Sequence, residues 1–146
     1  MKTKNNVRII PMSLENEEFV GKTIEQVQKE FVLDTLPIKE SGWYYYDKSG
    51  LNSVQGDLLL FQMNNSVVAS AIYKDTISFD KRANAENGGV ISVYTDSIKV
   101  FKPITKEELK KYIKSFNSFN SFTQTKQIFD TDEVNIKDLY IRFMLK

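Results

Sequence analysis

The residues in this sequence best equipped for chemistry are four consecutive aromatics, Trp43, Tyr44, Tyr45 and Tyr46. Their rings can stack on nucleobases, at about 1–3 kcal/mol per base, or on cations. Side chains alternate sides along a strand, so four in a row cannot all turn inward. Either some of them line a surface or pocket, or they pack in the core with the tyrosine hydroxyls reaching water. Asn52, Ser53 and Gln55 follow in a polar loop. Amides offer a donor and an acceptor together, as reading a base edge requires, although loop polarity alone accounts for them equally well. Asp57 is placed to fix the turn before the next strand. A second group, Phe122, Gln124, Lys126 and Gln127, can floor a base pocket. Alternatively, Phe116, Phe119 and Phe122 simply seal the end of the fold.

The charge is unevenly divided. Residues 1–98 carry 10 basic and 13 acidic side chains, a net −3, and residues 99–146 carry 10 basic and 6 acidic, a net +4. Lys99, Lys102, Lys110 and Lys111 lie in a lysine-rich stretch that can contact phosphates or can equally be a solvated helix face. The acidic groups Glu15, Glu17, Glu18 and Asp130, Asp132, Glu133 read as solvated surface. The second group lacks the glycine and the distal glutamate of a calcium-binding loop.

What is missing narrows the chemistry. The 146 residues include no cysteine and no histidine. That removes disulfides, thiolate metal sites and every Ser-His-Asp or Cys-His triad within the chain. Carboxylate or lysine catalysis stays chemically open, but no pair is singled out. No catalytic residue, metal ligand or cofactor is therefore expected. No apolar run of about 18 residues exists, so no membrane span is expected. The start, Met1 to Asn6, lacks the apolar core of a signal peptide, and a cytoplasmic location is the expectation. Richness in Lys, Asn and Ile points to an AT-rich bacterial or phage genome.

The elements that must position these residues follow from pattern. The length fits one domain, 1–146, with its core at about 42–128. Val7 to Pro11 reads as a first strand ended by Pro11. Ser13 to Phe19 reads as a helical turn. Thr23 and Gln26 form a capping box ahead of a helix from about Ile24 to Phe31. Pro37 and Gly42 mark a loop. Trp43 to Tyr46 reads as a short strand and Asp47 to Asp57 as a loop. Leu58 to Met63 is an apolar run predicting a strand buried on both faces. Asn64-Asn65 is a two-residue turn, and Ser66 to Lys74 returns, with Asp75 to Asp80 as an extension. The small residues Ala69 and Ala71 share one face of that strand and leave room for a packed helix or for a flat ligand.

Lys81 to Gly89 reads as a loop. Val90 to Val93 and Ser97 to Phe101 read as two further strands, with Pro103 ending the second. Thr105 and Glu108 form a capping box for a helix that carries Leu109, Tyr112, Ile113 and Phe116. The Phe-Asn-Ser repeat that follows has a spacing of three and predicts irregular or 3₁₀ structure. Asn135 caps a last helix with Ile136, Leu139, Tyr140, Phe143 and Met144 on one stripe. The expected class is α+β, a small, mostly antiparallel sheet or barrel flanked by helices.

The order G-W-Y-Y-Y, polar loop, G-D-L-L-L-F, turn, V-V-A-S-A-I-Y resembles the heart of the PUA-like superfamily, nearest to EVE-type domains. K-P-I-T-K-E-E-L followed by F-x-Q-T-K-Q resembles a segment of such domains in bacterial restriction systems. The likeness spans about Gly42 to Gln127. It implies a small β-barrel flanked by helices and a binding pocket in place of a catalytic centre. Relatives such as YTH and SRA domains hold a flipped, often methylated base in an aromatic cage. On that likeness Trp43 and Tyr45 are cage walls, and Asn52 or Ser53 contacts the base edge. The first 40 residues do not match the usual EVE opening strand, and no nuclease domain is expected within these 146 residues.

Two readings of function follow. The first is a non-enzymatic module that binds nucleic acid, including a modified base, alone or with a protein effector. The second is a protein–protein interaction module, an antitoxin or inhibitor of a phage or mobile element. Near-zero net charge, abundant tyrosine and the lack of catalytic groups fit it as well.

Overall fold

The computed structural model describes residues 6–11, 21–33, 43–46, 55–78, 89–116 and 128–146, with backbone alone at 11, 31, 43–46, 76–78, 89–91 and 128. The strands are β1 (Asn6–Pro11), β2 (Trp43–Tyr46), β3 (Leu58–Met63), β4 (Ser66–Ser78), β5 (Gly89–Thr105) and β6 (Ile128–Asp130). They form one sheet in the order β2-β5-β4-β3-β1-β6. β1 and β3 run parallel, and every other pairing is antiparallel. The class is α+β, as expected, but the sheet is not closed into a barrel. Its order has two ends, β2 and β6, and no ladder joins them among the described residues.

β3 explains why the sheet is covered on both sides. Leu59, Phe61 and Met63 point into one apolar cluster, and Leu58 and Leu60 point into another. This is the two-sided burial that a continuous apolar strand requires. The turn into β4 has φ of 50° at Asn64 and 59° at Asn65. Two consecutive left-handed residues make the turn whose twist matches a hairpin, and asparagine tolerates that region better than most residues.

The first face is covered from the N-terminal side. Thr23 caps α1 (Ile24–Gln26): its Oγ1 accepts from Gln26 N–H at 3.2 Å, and Gln26 Oε1 accepts from Thr23 N–H at 2.8 Å. The expected α-helix to Phe31 gives way after Gln26 to a wider π-helical turn, Val27–Leu33. Val27 and Val32 pack fully buried into the cluster that holds Ala69 and Ala71. The small residues of β4 therefore admit a packed helical segment, worth about 1.5–3 kcal/mol per buried valine. Gln28 ties the segment down, its Nε2 donating to Val68 O at 2.9 Å and Phe101 O at 2.7 Å.

Those two carbonyls lie beside an irregularity in the β4–β5 ladder, where the register shifts between Val67 and Ala69. β5 is one strand through Thr105, not two strands ended by Pro103. Ile72 pairs with Tyr94 and Ser70 with Lys99, so β5 carries extra residues over two steps of β4. Ser97 bridges that bulge: its hydroxyl accepts from Ile72 N–H at 2.7 Å and donates to Tyr94 O at 2.6 Å. Pro103 sits in the irregularity between Val67 and Ala69, where a missing N–H is tolerated.

The second face is covered from the C-terminal side. Thr105 caps α2 (Lys106–Leu109), its Oγ1 accepting from Glu108 N–H at 3.2 Å. The reciprocal half of the expected box is not made, because the Glu108 carboxylate is engaged by Arg142. α2 is also shorter than its apolar spacing predicts. The chain turns after Leu109, and Ile113 bridges to Val134 instead. Leu109, Ile113 and Phe116 are nevertheless buried. In α3 (Ile136–Arg142) Leu139 and Phe143 face the core, and Phe143 stacks on Phe101 at 4.4 Å. Met144, expected on that stripe, is exposed, and Arg142 is buried. Asn135 precedes α3 without a side-chain cap bond and donates to Asp138 Oδ2 at 2.7 Å. The helical turn expected at Ser13–Phe19, the loops at Pro37–Gly42 and Lys81–Gly88, and the Phe-Asn-Ser repeat from Asn117 lie outside the described residues.

Candidate functional site

Trp43 to Tyr46 form a terminal strand of the sheet. β2 pairs antiparallel with β5, Trp43 opposite Ser92, Tyr44 opposite Ile91, Tyr45 opposite Val90 and Tyr46 opposite Gly89. The aromatic run thus lies at one edge of the sheet, where a strand is least enclosed by neighbours.

The register shows what lies beside it. Val93 faces the first cluster, so Ser92 and Tyr94 face the opposite side. Tyr94 is exposed, and Lys74 Nζ stands 5.9 Å from the centre of its ring, a cation over an aromatic face. Asp75, opposite Ser92, is exposed on the same side. Lys99 is exposed opposite Ser70. Measured along β4, Lys99 lies five residues from the level of Ser92, about 17 Å at about 3.3 Å per residue. Tyr94, opposite Ile72, falls between them. Among the described side chains, Tyr94, Lys74 and Lys99 are exposed along this side of β4 and β5, with buried Ser92 between Tyr94 and the backbone of the aromatic strand.

Lys110 and Lys111 are not brought to this line, and Lys102 lies three residues beyond Lys99 on β5. Lys102 sits at the far end of β5, where its N–H donates to Leu145 O at 2.8 Å. Lys110 and Lys111 follow α2, with N–H groups donating to Lys106 O at 3.3 Å and Glu108 O at 3.0 Å. All three side chains are exposed. Asn52, Ser53, Phe122, Gln124 and Lys126 lie outside the described residues.

Asp57 has the structural role expected of it. It is buried, and its Oδ1 accepts from Asn6 N–H at 2.9 Å, tying the start of β3 to the start of β1. Gly56, with φ of 100°, turns the chain into that position. Close by on the first face, Arg8 is buried with Asp57 and Tyr73. Burial pushes its guanidinium below the ordinary arginine value, while Asp57 and Tyr73 act in the opposite sense. A charge at this depth was not legible, because Val7-Arg8-Ile9-Ile10 reads as an ordinary half-exposed strand. Tyr94 and Lys74 were also missed: each is a single residue in an otherwise ordinary strand, and only the β4–β5 register brings them together.

No helix among the described residues is long and apolar enough to cross a membrane. No protein-family model matches this chain, and no curated protein or solved structure matches it significantly.

Proposed function

We propose that this chain is a non-enzymatic module that binds single-stranded or locally opened nucleic acid along the second face of its sheet. The observation that carries the reading is the row of exposed Tyr94, Lys74 and Lys99 on β4 and β5, the latter paired with the aromatic edge strand. Stacking platforms interleaved with lysines are the chemistry by which single strands are held. The span of about 17 Å leaves room for more than one nucleotide to be engaged at once. Reading of a modified base by Trp43 and Tyr45 is the finer form of the proposal. It rests on the likeness of Gly42 to Gln127 to PUA-like and EVE-type domains, and the closed barrel of those domains is not formed by the described strands.

The experiment is a set of substitutions read by oligonucleotide affinity. Trp43→Ala and Tyr45→Ala should each weaken binding by about 1–3 kcal/mol. Tyr94→Ala should weaken it similarly, and Lys99→Gln should lower its salt dependence. Lys110→Gln, on another part of the surface, should leave it unchanged. Unaltered affinity in both Trp43→Ala and Tyr45→Ala would show the assignment to be wrong.

A further inference from the structure

The C-terminal end of the chain presents a second surface of different character. Ile141 is 55% exposed, Met144 76%, Leu145 54% and Tyr140 36%. These residues follow helical spacing, with Ile141 three and four positions before Met144 and Leu145, so they cover one outer flank. They are held in place. Met144 N–H donates to Ile141 O at 3.1 Å and Leu145 N–H to Arg142 O at 3.1 Å. Lys102 N–H donates to Leu145 O at 2.8 Å, pinning the tail to β5. Buried Arg142, bonded to Glu108 and to Pro103 O, and Phe143, stacked on Phe101, fix the opposite flank inward. Single exposed apolar residues are ordinary, but a contiguous, ordered group marks a contact surface.

The rim of that surface is basic. Lys102 borders it through Leu145, Lys146 follows Leu145 and reaches Val100 O with its Nζ at 3.2 Å, and Lys137 lies one turn before Ile141. Asp138 is the one acidic side chain on the exposed flank of α3, and it accepts from Asn135. We propose that this flank docks an amphipathic helix of a protein partner, with apolar residues on its buried stripe and carboxylates along its borders. Charge complementarity selects that occupant. A second copy related by a twofold axis would set lysine rim against lysine rim. This flank adjoins Lys99, because Lys102 lies three residues beyond it on β5 and Lys146 Nζ donates to Val100 O. The two proposals are therefore told apart by Tyr94→Ala, which should weaken oligonucleotide binding and leave peptide binding unchanged.

The test uses the full chain and two synthetic helical peptides with one identical leucine stripe, flanked by glutamate in one and lysine in the other. Binding is followed by fluorescence anisotropy. The glutamate-flanked peptide should bind, more weakly as salt rises, and the lysine-flanked peptide should not. Ile141→Gln/Met144→Gln should reduce that affinity by about tenfold or more with the circular dichroism spectrum retained. Lys102→Glu/Lys146→Glu should reverse the preference between the peptides. That reversal is the result a merely sticky surface cannot give. Equal binding of both peptides, or of neither, would overturn the proposal. So would concentration-dependent dimerisation through these residues in sedimentation velocity. Binding to vesicles of equal phosphatidylserine and phosphatidylcholine without peptide binding would overturn it too, in favour of a lipid surface.

Discussion

Arg142 of α3 reaches across to Glu108 of α2 and engages both carboxylate oxygens, while its Nη2 also donates to Pro103 O at 3.1 Å. The pair is asymmetric: the arginine side chain is 6% exposed and the glutamate 29%. Removing the glutamate leaves a buried charge without compensation, and removing the arginine leaves a carboxylate that water can reach. Glu108→Ala should therefore cost about 3 kcal/mol and Arg142→Met only about 1–2 kcal/mol, in urea unfolding at neutral pH.

The same pair predicts a pH dependence. The hydrogen bond from Arg142 holds the Glu108 carboxyl below its ordinary value of 4.5, partly opposed by burial. A depressed folded-state value means that the unfolded chain takes up the proton first. The stabilisation is complete above the ordinary value and is lost as pH falls through the lower folded value. The stability gap between the native chain and Glu108→Gln should narrow on acidification from pH 7 to below 4.5. A gap independent of pH would contradict the assignment.

Gln28 serves two carbonyls from two different strands with one amide nitrogen. Gln28→Leu should cost about 1–3 kcal/mol, because both acceptors lose their donor. Gln28→Glu should be worse at neutral pH, since a carboxylate would face two carbonyl oxygens, and should recover in part when protonated. Thermal unfolding of the two variants at two pH values would show the difference in sign.

The hairpin between β3 and β4 makes a local prediction. Asn65→Gly should be neutral or stabilising by a few tenths of a kcal/mol, since glycine enters the left-handed region without steric cost. Asn64→Val should cost about 1–2 kcal/mol, because a β-branched residue resists positive φ. If both substitutions had equal effect in urea unfolding, the turn would not have this geometry.

Ala71 lies under the π-helical turn in the cluster with Val27 and Val32. Ala71→Leu should cost about 1–3 kcal/mol by overpacking. Should the larger residue be accommodated without loss of stability, the helical segment would not be seated against β4 as described.

Much of this architecture was legible. Leu58 to Met63, the paired asparagines and the Thr23–Gln26 box are local signals that carry their own geometry. The parts that escaped depend on distant partners. Tyr94 to Asp96 read as a break because the Ser97 hydroxyl, which carries the ladder across the bulge, finds its donor in Ile72, far back in the sequence. Pro103 read as a terminus, yet the β4–β5 register places it in an irregularity where its missing N–H does no harm. Glu108 read as half of a capping box, but a buried arginine on another helix competes for it. Arg142 and Met144 exchanged expected places because a stripe drawn from apolar character ignores an ion pair. In the candidate site, the aromatic strand was visible at once, whereas Tyr94 and Lys74 meet only through pairing between β4 and β5. Lys110 and Lys111 leave the sheet with α2, whereas Lys102 stays on β5 three residues beyond Lys99.

The most direct test of the central claim is the fluorescence of Trp43, the sole tryptophan, titrated with single-stranded and duplex oligonucleotides at two salt concentrations, with and without methylated bases. The account predicts quenching by single strands that survives moderate salt and weakens in Tyr94→Ala, with any preference for a methylated base measuring the finer proposal. Quenching that disappears entirely at higher salt would reduce the interaction to lysine–phosphate attraction. An unchanged signal, with Trp43 shown to be accessible to a neutral quencher, would contradict nucleic-acid binding at this edge of the sheet.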